Sequence, residues 1–353
     1  MAFTSFTPRI PDRPSILIAR LSAIGDCIHT VPLATAIRRR WPQAHVVWVT
    51  QAGPATLLKG HPALDDLIVV PRDWMKSPAA LSQLHTRLHQ HHWDAAIDVQ
   101  SLTKSALIAW LSGARHRIGF ASPQGRELSR WFNRTRIVPQ QTHVVDRYLE
   151  LLQPLGFANP PVDFALGPYT AELPIVTRIL ERYQLGSHRF ILLNPGAGWN
   201  SKLWPARRFG AVAKYLGHEF QLPSLVVWNG QDEQQAASEI VASSGGHAFL
   251  APATTLPQLA ELARRARLFV GSDTGPLHLA AAVGTRCVAL FGPTDPKVCG
   301  PYGTGHRCVQ SFLQDQRGRR RAANDAMCAI EVHQVQDACQ QILTDPASQR
   351  SAA

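Results

Sequence analysis

The sequence predicts an α/β protein of two Rossmann-like domains facing a central cleft. Three observations carry this expectation. Short apolar runs alternate with helical patterns along most of the chain. A proline-rich, aperiodic stretch at residues 159–168 interrupts the alternation near its middle. A polar turn, Ser272-Asp273-Thr274-Gly275, follows an apolar run and leads into a small-residue helix at Pro276. In doubly wound sheets, ligands sit in such turns at the carboxyl ends of strands. At 353 residues the chain is long enough for two domains of roughly 150–180 residues each.

The elements follow in order. Residues 16–19 read as the first strand, running into Arg20-Leu-Ser-Ala-Ile-Gly-Asp26. The next helix places Ile28, Val31, Ala34 and Ile37 on one face and stops before Pro42. Further strands are expected at 46–49, 67–70 and 95–99, and a helix at 144–155 closes the set at Gly156. After the break, strands are expected at 190–193, 225–228, 247–250, 268–270 and 288–291. The resulting domains are 1–165 and 166–330. A last segment, 331–353, is expected to send a helix back onto the N-terminal domain. Residues 312–326 read as a basic loop, and the halves show no obvious sequence repeat.

Net charge is +11, from 36 Lys and Arg against 25 Asp and Glu. Such an excess implies an anionic partner: nucleic acid, anionic lipid or a phosphorylated substrate. The arginines gather at 38–40, 115–136 and 317–321. They read as lacking the aromatic interleaving of a single-strand binder, and no nucleic-acid motif is present, so no nucleic-acid partner is expected. The six cysteines form no C-x-x-C pair and no zinc-like spacing, which points to reduced thiols and a cytoplasmic protein. Residues 1–14 lack a basic region followed by an apolar run. No stretch approaches the roughly 20 apolar residues that span a bilayer.

Chemistry concentrates at three places. The turn around Asp273, with His278 one helical turn on, reads as an anion-binding corner. Helix-start N–H groups favour phosphate there, with Thr274 or Gly275 as the cap. Lys202 lies in a loop with Gly196, Gly198, Asn200 and Ser201, where an ammonium can neutralise a diphosphate. This is neither a Walker A loop nor a G-x-G-x-x-G fingerprint, and an ordinary exposed lysine fits the same pattern. Asp26 follows the first strand. Its carboxylate suits a general base, while on the residues alone a helix cap is the commoner role for Asp in this position. A single Asp-Thr-Gly triplet in an α/β setting does not make an aspartic protease, which needs two carboxylates. His85 and His89 have metal-pair spacing but no accompanying H-E-x-x-H glutamate, so a solvated helix face is expected.

Together these segments resemble glycosyltransferase family nine, the lipopolysaccharide heptosyltransferases, over most of the chain. The resemblance rests on five stretches: 16–26 with His29-Thr-Val-Pro32; Asp94-Ala-Ala-Ile-Asp-Val-Gln100 with Lys104-Ser105; Asn194-Pro-Gly-Ala-Gly with Ser201-Lys-Leu-Trp-Pro205; Ser272-Asp-Thr-Gly-Pro-Leu-His278; and Phe291-Gly-Pro-Thr-Asp-Pro296. It implies a GT-B enzyme that inverts the anomeric centre without a metal or cofactor. The implied donor is a nucleotide sugar, most simply ADP-heptose, and the implied acceptor an anionic glycolipid. Asp26 stands where the family has its proposed base. Ser201 and Lys202 match the loop meeting the donor diphosphate, which Thr274, Gly275 and His278 also surround. Asp273 matches the aspartate on the donor sugar hydroxyls. Glu233 matches a ribose-binding acid, although Asn229 replaces the first of the usual two glycines. Arg20, Lys104 and Arg117 would suit the acceptor. A monomer held electrostatically at the cytoplasmic face of the inner membrane is expected. The alternative reading is a sugar-nucleotide-binding GT-B protein with another donor or without turnover.

Overall fold

The strands are the most apolar segments of the chain because parallel strands are covered by helices on both faces. Ile16, Leu17, Ile18 and Ala19 are all fully buried, as are Leu268, Phe269 and Val270. A computed structural model describes residues 10–313 and 323–345. The chain divides into two units, residues 1–166 and 167–353, each built on one six-stranded parallel sheet.

The first sheet contains β1 (Ser15–Ala19), β2 (His45–Thr50), β3 (Asp66–Val69), β4 (Ala95–Asp98), β5 (His116–Phe120) and β6 (Thr135–Ile137). Their order is β3-β2-β1-β4-β5-β6. The second contains β7 (Ile191–Asn194), β8 (Ser224–Val226), β9 (Ala248–Leu250), β10 (Leu268–Ser272), β11 (Cys287–Leu290) and β12 (Arg307–Val309). Their order is β12-β11-β10-β7-β8-β9. Counted from β7, this is the same doubly wound order as in the first sheet. The chain is therefore an architectural duplication that no sequence repeat announces. In each sheet the order reverses between the first and fourth strands, β1 beside β4 and β7 beside β10. Ligand crevices open at such switch points, beyond the carboxyl ends of the strands.

Three strands escape the sequence reading. β5 and β6 lie inside the arginine-rich stretch, and β12 is Arg-Cys-Val. β6 and β12 are sheet edges, where one side needs no partner and charged side chains are tolerated. The C-terminal helix also departs from expectation. Val332–Thr344 packs on the helix Ala206–Phe220 and on β12, and its Val335, Cys339 and Ile342 are buried in the second unit's core. It belongs to the second unit, where its apolar face completes the cover over β11 and β12. Of the expected basic loop at 312–326, residues 314–322 lie outside the described residues, and with them Arg317 to Arg321.

Candidate functional site

β10 ends at Ser272, and the helix Gly275–Ala282 begins three residues later with Thr274 as its cap residue. Thr274 is extended, but its hydroxyl does not cap the helix; it donates to the Ser272 carbonyl at 3.2 Å. Between strand and helix sits Asp273, almost wholly buried. Its carboxylate gathers side chains from three separate segments. Lys202 Nζ is 2.5 Å from Oδ2 and also donates to the Asp273 carbonyl oxygen at 3.1 Å. His278 Nε2 lies 3.0 Å from Oδ1, and a proton on that nitrogen satisfies the carboxylate. Thr294 donates its hydroxyl to Oδ2 at 2.7 Å, and the Cys299 thiol approaches the same oxygen at 3.8 Å.

Burial alone would raise the Asp273 pKa. The His278 hydrogen bond and charge, with the Lys202 ammonium, overcome it and hold the carboxyl well below the usual range. Lys202 is 13% exposed and closes a short helical turn, Asn200–Lys202, in the loop after β7. Its ammonium lies 4.8 Å from the centre of the Trp199 ring, a cation–π distance. Ser201 in the same turn is buried. The structure thus brings Ser201, Lys202, Asp273, Thr274, Gly275 and His278 to one corner, and excludes an ordinary exposed role for Lys202. Sequence reasoning missed Thr294 and Cys299. Thr294 lies within Phe291-Gly-Pro-Thr-Asp-Pro296, but nothing local announces that its hydroxyl closes on a carboxylate 21 residues earlier.

Glu233 sits in the first turn of the helix Gln231–Ser243, half-buried, and accepts from the Asn229 backbone N–H at 2.8 Å. Burial pushes its carboxyl pKa up, and the Asn229 hydrogen bond partly offsets this. The carboxylate occupies the space above Gly196, where a Cβ would meet Glu233 Cδ at 2.2 Å. The acid expected near the ribose therefore packs against the glycine loop that follows β7.

In the first unit, Asp26 both caps and pairs. As third residue of the helix Ile24–Arg40, its Oδ2 accepts from the Ala23 N–H at 3.3 Å and meets Arg20 Nη2 at 2.6 Å. Oδ1 accepts from the Tyr148 hydroxyl at 3.3 Å, yet the side chain stays 42% exposed. Arg20 does not present itself to an acceptor. It is buried, donates to the Val99 carbonyl, and lies 5.3 Å from the Tyr148 ring centre. Burial opposes its charge, but Asp26 more than compensates and holds the guanidinium firmly protonated. Burial pushes the Tyr148 phenol up.

Lys104 is half-buried in the first turn of the helix Thr103–Leu111. Arg117 stands apart. Its strand register pairs it with Ala96, toward the amino ends of the strands, and it donates to the Phe132 and Ala114 carbonyls. The segment 94–100 acts as a brace. Asp94 accepts from Ser15 N, Gln100 from Leu21 N, and fully buried Asp98 from Ser101 N and Asn133 Nδ2. Burial pushes Asp98 up to about 6 despite the Ser105, Asn133 and Ser101 hydrogen bonds. His85 and His89 are exposed, with stacked rings 4.0 Å apart, as a solvated helix face implies.

Two doubly wound units, one with an acidic turn and the other with a cationic corner at a helix start, define a glycosyltransferase of GT-B architecture. The chain belongs to glycosyltransferase family 9 (heptosyltransferase), whose family model matches residues 81–327. It is 31% identical over 306 residues to lipopolysaccharide heptosyltransferase 1 of Pseudomonas aeruginosa, covering 82% of this chain and 81% of that one. It is 28% identical to the Salmonella typhimurium enzyme of the same name, covering 82% and 91%. Among solved structures, a glycosyl transferase family 9 protein from Veillonella parvula superposes with a TM-score of 0.82 at 21% identity, covering 94% and 97%. The E. coli heptosyltransferase WaaC with ADP gives 0.76 at 23% identity, covering 93% and 99%. Another structure of WaaC holds ADP-2-deoxy-2-fluoro heptose.

Proposed function

We propose that this enzyme transfers a heptose from ADP-heptose to a lipopolysaccharide core or related glycolipid, inverting the anomeric centre with Asp26 as general base. Family membership supports the transfer, and the nucleotide held by WaaC supports the donor. The observation that carries the chemistry is the Lys202–Asp273 pair at the carboxyl end of β10. A departing diphosphate carries growing negative charge, which a nearby ammonium and a helix start can stabilise without a metal ion or cofactor. Donor arrival would exchange partners. Lys202 turns to the diphosphate, and Asp273, still held by His278 and Thr294, accepts a sugar hydroxyl. Ser201, Thr274 and Gly275 line the phosphate side, and Glu233 serves the ribose.

Asp26 would take the proton of the acceptor hydroxyl as that oxygen attacks. Arg20 orients its carboxylate through the 2.6 Å contact, acting as a positioning residue rather than an acceptor ligand. Lys104 remains the candidate for an anionic group on the acceptor. The enzyme would work as a monomer at the cytoplasmic face of the inner membrane; among the described residues no helix is long and apolar enough to cross one.

Asp26→Asn tests the base. Transfer monitored by ADP release should fall by at least about 10²-fold in kcat, with ADP affinity by calorimetry unchanged. Near-wild-type kcat in this variant would return Asp26 to its capping role alone.

A further inference from the structure

Large apolar side chains lie exposed together on the first unit: Trp110 at 50%, Leu128 at 54%, Trp131 at 73% and Val138 at 61%. Leu128 and Trp131 belong to the short helical segment that leads into β6, and Val138 directly follows that strand, a sheet edge with β5 as its neighbour. The helix Thr103–Leu111, which carries Trp110, packs on the short helix Ser129–Phe132. There Trp110 meets Phe132 edge-on, with ring centres 6.1 Å apart. Arg126, Arg130, Arg134 and Arg136 are exposed around them, and the Arg130 guanidinium lies 5.5 Å from the centre of the Trp131 ring. Glu127 is the sole carboxylate between residues 115 and 138 and accepts a hydrogen bond from Thr103 N. The patch is thus strongly cationic. Aromatic residues do interleave these arginines, which the sequence reading overlooked.

Single exposed apolar side chains need no explanation, but a group rimmed by charge marks an interaction surface. Tryptophan settles at the headgroup level of a bilayer, and arginine binds lipid phosphates with paired, charge-assisted hydrogen bonds. We propose that this face docks on an anionic phospholipid bilayer, with Trp131, Trp110 and Leu128 entering the headgroup layer while the four arginines hold lipid phosphates. Charge complementarity selects this occupant over an apolar protein partner. Single-stranded nucleic acid stacks its bases on aromatic faces. Here the edge-on Trp110–Phe132 contact uses one such face internally. The inference deepens the proposed function and rests on it, because a glycolipid acceptor is anchored in a bilayer.

The test floats full-length protein with phosphatidylcholine vesicles, with and without phosphatidylglycerol, in the absence of donor and acceptor. Wild type should float only with the anionic vesicles. The double variant Arg130→Gln/Arg134→Gln should bind them roughly thirtyfold more weakly at low salt. Trp131→Ala should also weaken flotation, with its melting temperature and ADP affinity held. Equal flotation on neutral and anionic vesicles, unchanged binding by the variants, or preferential capture of a single-stranded oligonucleotide by this patch would overturn the proposal. A soluble acceptor analogue separates the two readings. Flotation without transfer sinks the proposed function, whereas transfer without flotation sinks the docking surface.

Discussion

Lys202→Met removes the ammonium from the Asp273 corner while keeping most of the side-chain volume. In the unliganded protein it leaves Asp273 buried beside His278 and Thr294, which still supply two hydrogen bonds. Removing one partner of a buried pair costs ~3–5 kcal/mol when nothing replaces it. With two donors left, about 2 kcal/mol is expected for the second unit at pH 7, within the range for a lost charged hydrogen bond. Asp273 is held below its ordinary pKa. The pair's stabilisation is therefore complete above about pH 4 and fades on acidification through the folded-state value, so the variant's deficit should shrink in acid. The same ammonium would contact the donor diphosphate, where ~1.5–3 kcal/mol predicts ADP binding weakened about tenfold to a hundredfold.

Calorimetric titration with ADP and urea unfolding at two pH values read both effects. Asp273→Asn completes a cycle. Without its internal anion, Lys202 is released, so ADP should bind at least as tightly as to wild type. In the Lys202→Met background the same change should leave ADP affinity unmoved. If Asp273→Asn weakens ADP more than tenfold with Lys202 present, the exchange of partners is wrong.

Two further outcomes follow from the geometry. Gly196→Ala places a methyl 2.2 Å from Glu233 Cδ and makes that flexible carboxylate swing aside, so ADP affinity should fall in calorimetric titration with little change in stability. Adding Glu233→Ala should weaken ADP no further, and an additive loss would separate the two positions. Asp98 is held up to about 6 from 3.8 by burial, so the folded state binds the extra proton between those values. Stability should therefore drop as pH rises from about 4 to about 6, by about 3 kcal/mol in all, and stay level above. Asp98→Asn should flatten that slope in urea titrations across the same pH range, and an unchanged slope would assign it to other groups.

Nine of the twelve strands were readable because a parallel strand covered on both faces must be a continuous apolar run, as in residues 16–19 and 268–270. The other three carry Arg117, Arg136 and Arg307, and two are edges, so composition pointed away from a sheet. The corner at Asp273 was legible as a candidate site because a polar turn after such a run has few structural uses. Thr294 and Cys299 were not, since their approach to Asp273 depends on how β11 and its following loop return to β10. Arg20 hides its surroundings in another way. An arginine in a polar turn looks like a ligand until burial shows it committed to Asp26.

The shared strand order of the two sheets carries an evolutionary consequence. Each half has its own reversal point, so each can drift in specificity on its own. Loops after β1 and β4 can be reshaped for a new acceptor without touching those after β7 and β10 that would hold the nucleotide. A lineage built this way can diversify the sugars and lipids it joins by changing one half at a time.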